Sequence, residues 1–226
     1  NESDELDEET RMTQRRGTGR REDLVQATMA IVRDSGFGAA SAKAVAGRAG
    51  MSTAAMSAYA ANLDELLAEV FRRCAGVEMA AVDRAIAGTR SSDATGRLIA
   101  MIDTFATRAL RAGRLAWALL AEPVSREIEV ERQAYRQGYV DILTEIVVDG
   151  VRDGEFAPQD ARITAAGIVG AISVALIGPL VPLTLEDDDP AAVIAAITRL
   201  CLRAVGAQPA SETASDPETG TASDLG

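Results

Sequence analysis

Apolar positions recur every three to four residues along most of the chain, and no segment alternates with period two for long, so the pattern predicts helices throughout. Leu24, Ala27 and Ile31 share one face of a helix over roughly 20–34, and Gly36 suits a left-handed cap at its end. The stretch KAVAGRAGMSTAAMSAYA, 43–60, reads as two short helices around Gly50, the second capped by Ser52. Asn62 caps a longer helix running to about Ala87, with Asp64 and Glu65 favourably placed in its first turn. After GTRSSD the helices become longer and more apolar, over about 93–111, 114–121 and Ser125 to Asp153, where Gly154 stops the last. Pro158 suits the first turn of a helix running to about Ile177. GPLVP breaks that helix, and Pro190 opens a final one ending at Gly206.

Composition sharpens this all-α expectation. Hydrophobic residues make up 47% and aromatics only 4%, so the core is built from Ala, Val, Ile and Leu, with Ala the best helix former. There is no histidine, which removes the commonest general base and metal ligand, and no glycine-rich phosphate loop. Neither a catalytic residue, a metal site nor a cofactor is expected, and an enzyme is not. Cys74 and Cys201 read as buried thiols of a cytoplasmic protein, with no N-terminal apolar run for secretion. The uncharged stretch Ile163–Leu185 is interrupted by GPLVP, and its small residues suit a buried, dimer-forming helix rather than a membrane span.

Charge is unevenly placed. The net charge is −11, yet Glu2, Asp4, Glu5, Asp7, Glu8 and Glu9 crowd the first ten residues, and Glu212, Asp216, Glu218 and Asp224 the last twenty-one. Residues 11–48 instead hold Arg11, Arg15, Arg16, Arg20, Arg21, Arg33, Lys43 and Arg48 against three acids. Attraction to phosphate follows such local excess. Residues 1–19 are expected as a flexible arm, 20–66 as a three-helix unit, 67–206 as a helical bundle and 207–226 as a disordered acidic tail.

The short helices around Gly50 have the makings of a helix-turn-helix. Val45, Ala46, Ala49, Met51, Met56 and Tyr59 supply the inner contacts, while Thr53, Ala54, Ala55, Ser57 and Ala58 face outward with methyls and hydroxyls suited to a major groove. The arm RRGTGRR just before them could reach a neighbouring minor groove. On RREDLVQATMAIVRDSGFGAAS, AKAVAGRAGMSTAAM and NLDELL, the chain from Arg20 to about Leu67 resembles the DNA-binding domain of TetR-family transcriptional regulators. The remainder resembles that family in layout.

The resemblance implies a homodimer, a double-stranded DNA operator and a small-molecule effector of unknown identity. It also implies release of DNA, most simply as a repressor, when the effector binds. By position it assigns Ser41 and Lys43 to phosphate, and Ser52, Thr53 and Ala55 to the recognition helix. Ser57 stands where the family has a phosphate-binding tyrosine, and Tyr59 where it has tyrosine or histidine. Ala60 replaces a phenylalanine and Leu63 a lysine, so Arg20 and Arg21, with Arg15 and Arg16, are expected to compensate. The alternative is a TetR-like sensor or interaction protein with weakened or lost DNA binding.

Two further sites follow. Met101, Phe105, Trp117, Tyr135 and Tyr139 are the scarce large residues of the middle helices and are expected to line an apolar pocket, with Glu122, Arg114 or Arg136 orienting its occupant. Ile168, Ile172, Ala175, Ile194, Ile197 and Cys201 are expected at the dimer interface.

Overall fold

The structure, a computed structural model, describes residues 2–60, 62–89, 93–180 and 189–207, with the side chains of its first helix described from Thr18 onward. Residues 208–226 of the tail expected to be disordered, the middle of GTRSSD and the last two residues of GPLVP lie outside the described residues. Among the described residues every regular element is helical: α1 Glu2–Ser35, a 3-10 turn Phe37–Ala39, α2 Ala42–Arg48, α3 Thr53–Ser57 and α4 Leu63–Gly88. Then follow α5 Ala94–Ala112, α6 Arg114–Leu120, α7 Arg126–Arg152, α8 Ala161–Leu180 and α9 Pro190–Ala204.

Several boundaries follow from capping chemistry. Asn62 Oδ1 accepts from the Asp64 amide, Asp189 caps α9 with Pro190 at its first position, and Ser41 and Ser52 cap α2 and α3. α2 ends at Arg48, and the chain turns at Gly50, with φ 68°, where the Gly50 amide bonds to Gly47 O and the Met51 amide to Ala46 O. Three boundaries differ from expectation. α1 begins at Glu2, so the residues expected as an arm continue the helix; the segment lacks proline and is rich in Glu and Arg. Pro158 lies before α8, because Asp160 Oδ1 accepts from the Ile163 amide and caps the helix there. α8 then runs on to Leu180, three residues past the expected end.

α1 to α3 pack on the first half of α4 through Leu24, Val25, Val32, Val45, Met56, Leu66 and Phe71. Burying a side chain such as Phe71 contributes on the order of 2–3 kcal/mol. The core continues without a break into the bundle of α5–α9, around Leu98, Ile102, Leu143, Ile146 and Leu176. α8 carries a window, Ala161–Gly178, apolar enough to cross a membrane. It is nonetheless a core helix, with Ala165, Ile168, Val169, Ile172 and Leu176 turned into the bundle.

That placement corrects the expected dimer residues. Ile168, Ile172, Ile197 and Cys201 are buried within their own protomer, and Ile194 lies in a groove between α5 and α9. Of the set, only Ala175 is exposed. Apolar periodicity identified the faces that are most apolar, which a single chain already buries.

Candidate functional site

The helix-turn-helix presents the expected outer surface. Thr53, Ala54, Ala55, Ser57 and Ala58 are exposed, Met56 is buried, and Met51 and Tyr59 are half-buried beneath them. Ser41 Oγ accepts from the Ala44 amide and Ser52 Oγ from the Ala55 amide at 3.1 Å, so each hydroxyl keeps its own proton free to donate. Ser57 Oγ donates back to Thr53 O. Arg20 and Lys43 are exposed, and no carboxylate pairs with either among the described residues.

Arg21 is placed differently. It pairs with Glu69 of α4, which also takes Arg73, and Arg73 in turn grips Glu22. The hydrogen bond from Arg21 holds the Glu69 carboxyl below its ordinary range, and the bond from Arg73 does the same for Glu22. Arg21 therefore ties α1 to α4, a role its position in the sequence does not show. The side chains of Arg15 and Arg16 lie outside those described.

In the bundle, a narrow cavity of about 30 Å³, partly open to solvent, is walled by Met101, Ile102 and Phe105 of α5, Leu119 and Leu120 of α6, and Val169, Ile172 and Ser173 of α8. Its remaining wall is one face of α7: Arg132, Tyr135, Arg136 and Tyr139. The structure thus brings together four of the expected residues, Met101, Phe105, Tyr135 and Tyr139. The Tyr135 and Tyr139 hydroxyls meet at 3.2 Å. Burial pushes both phenols well above their ordinary value, so both stay neutral.

Trp117 and Glu122 are not at this cavity, and both expectations are corrected. Trp117 lies half-buried on the outer side of α6 with the Arg114 guanidinium 4.7 Å from its ring centre. Arg114 also donates to Ser35 O at the end of α1. Glu122 is buried beyond the end of α6, where its carboxylate accepts from the amides of Phe37 and Gly38 at 2.9 and 3.0 Å. Gly36 makes room for it with φ 86° and ψ 175°, a region open essentially to glycine alone, rather than the left-handed cap expected.

Sequence reasoning missed Arg132, which is buried although charged. Its Nε donates to Leu119 O and its Nη2 to Ala118 O and Glu122 O, capping the carboxyl end of α6, while Nη1 meets Glu129. Burial pulls its pKa down, offset in part by Glu129. Two routes therefore join the cavity wall to the Phe37 turn. One runs Arg132, the α6 end, Glu122, Phe37. The other is a ladder of rings, Phe105–Tyr139–Tyr135–Phe71–Phe37, with centroids 5.0, 5.0, 6.0 and 5.9 Å apart.

The two routes join the helix-turn-helix head to the cavity-bearing bundle within one chain. Residues 91–175 match the family model for the tetracyclin repressor-like C-terminal domain. No curated protein matches the chain by sequence. Among solved structures it is similar to the fatty acid degradation regulator FadR of Bacillus halodurans, at 17% identity and a TM-score of 0.67 over 81% of this chain and 94% of that one. The FadR regulator of Bacillus subtilis in complex with stearoyl-CoA gives 18% and 0.68 over 81% and 98%. A TetR/AcrR-family regulator of Thermobifida fusca gives 21% and 0.59 over 81% and 97%.

Proposed function

We propose that this chain is a TetR-family transcriptional regulator, a cytoplasmic repressor that binds a palindromic operator as a homodimer and is released when a small apolar or aromatic effector enters the α5–α8 cavity. The observation that carries this reading is the Glu122 carboxylate on the Phe37 and Gly38 amides. It ties the end of α6, a wall of the cavity, to the turn that leads into the helix-turn-helix. An effector that displaces α6 therefore acts on the orientation of α2 and α3.

Phosphate contacts fall to Arg20, Ser41, Lys43, Ser52 and Ser57, and base contacts to Thr53 and Ala55, all exposed on one side of the head. The dimer uses the outer faces of α8 and α9. Ile163 and Val174 of α8 are 71% and 70% exposed, with Gly167 and Gly170 between them, and Leu200 of α9 is 49% exposed. Small residues flanked by large apolar ones let two helices approach closely, and two such helices from each protomer make a four-helix interface.

Fluorescence anisotropy on DNA from upstream of the chain's own gene, titrated at several salt concentrations, tests this. The expected result is saturable binding that outcompetes random DNA, with a salt slope of about −0.9 per phosphate contacted. A second reading, a sensor with weakened DNA binding, is favoured by the engagement of Arg21 with Glu69. Weak binding of equal strength to any sequence selects it.

A further inference from the structure

Resting on the reading of the α5–α8 cavity as an effector site, we propose that its ligand is an amphiphile bearing one carboxylate, held at Arg136 beside Arg132, with an apolar chain among Met101, Phe105, Val169 and Ile172.

The polar wall of this cavity carries net positive charge. Arg132 and Arg136 stand one turn apart on α7 and both line it. Glu129 is committed to Arg132. Arg136, half-buried, meets only Gln133 through Nη1, and among the described residues no carboxylate pairs with it. A guanidinium has five N–H groups in a planar fork that matches a carboxylate with two parallel bonds. Those of Arg136 beyond the Gln133 bond face no acceptor the described residues provide. In the Tyr135–Tyr139 pair one hydroxyl donates to the other, so the second keeps a proton to offer. Arg132 has one Nη1 proton beyond its four bonds to Leu119, Ala118, Glu122 and Glu129.

Every other wall is apolar apart from Ser173, whose hydroxyl is spent on Val169 O. A half-buried cation with unfilled donors at the edge of an apolar chamber is complementary to a chain with a single acid at one end. A phosphate dianion asks for more donors than the Arg136 fork, one Arg132 proton and one phenol supply. The position of the acid also explains its effect. A negative charge beside Arg132 competes with the α6 carbonyls and Glu129 for that guanidinium, and those carbonyls lead to Glu122.

The test titrates the full chain with decanoate, 1-decanol and decyl phosphate, following heat and the emission of Trp117, the single tryptophan, which rides on α6. The same three probes are titrated into Arg136→Gln and Arg136→Lys. Decanoate is expected to bind at least about tenfold more tightly than 1-decanol, as a hydrogen bond to a charged group implies. Arg136→Gln is expected to remove that preference with 1-decanol affinity unchanged, and Arg136→Lys to keep most of it. The proposal is overturned if 1-decanol equals decanoate, if decyl phosphate binds more tightly than decanoate, if Arg136→Gln leaves the preference intact, or if no probe binds. Operator release is read separately by anisotropy. Release by 1-decanol as readily as by decanoate leaves the regulator reading standing and removes the carboxylate alone.

Discussion

Glu122 shows how far one side chain can reach across the molecule. A buried carboxylate needs strong partners, and this one finds two backbone amides more than eighty residues upstream. A Cβ added at Gly36 would lie 2.5 to 2.9 Å from that carboxylate, on a backbone that L residues rarely adopt. Gly36→Ala is accordingly expected to lower stability by about 2–3 kcal/mol, from strain and displaced hydrogen bonds together. Urea denaturation measures the loss, and a change below about 0.5 kcal/mol would show that the turn accommodates the methyl freely. In the sequence Glu122 reads as a group available to a ligand, because nothing nearby in the chain announces the amides that occupy it. Trp117 misleads in the same way: a rare aromatic on an apolar helix suggests a cavity, while its actual partner is Arg114 on the outer side.

At the scale of elements, the head is held to α4 by charge as well as by apolar contact. Hydrogen bonding from Arg21 keeps the Glu69 carboxyl below its ordinary 4.5 in the folded protein. Its contribution is therefore present in full above about pH 4.5 and is lost as pH falls through the depressed folded value. Glu69→Gln is expected to weaken the protein at pH 7 and to flatten the fall in stability below pH 4.5. Parallel slopes for both proteins in an acid titration of thermal unfolding would remove this role. The caps and turns of α3, α4 and α9 were legible from Ser52, Gly50, Asn62 and Pro190, because capping is local chemistry, while the Ser41 cap of α2 emerged only in the structure. The start of α1 was not, since a polar, charged stretch that reads as a flexible arm also contains enough helix formers to continue the helix.

For the whole molecule, the outer apolar faces of α8 and α9 carry the consequence. Val174→Asp is expected to turn the proposed dimer into a monomer at micromolar concentration and to weaken the proposed operator binding at least tenfold, because a single head makes half the phosphate contacts. Sedimentation velocity decides it. An unchanged dimer would move the interface elsewhere, for instance to the groove between α5 and α9 where Ile194 lies.

What the sequence determined by itself is what depends on neighbours a few residues away: helical periodicity, caps, the glycine turn of the helix-turn-helix, and the outward Thr53–Ala58 surface. The helical class and the helix-turn-helix follow from these. What only the tertiary structure decided is the partner of each long-range group: Arg21 on Glu69, Glu122 on the Phe37 turn, Arg132 under α6, and which side of α8 is core. An apolar stripe looks the same whether it meets its own bundle or a second protomer, and an ion pair is set by folded distance rather than by spacing along the chain.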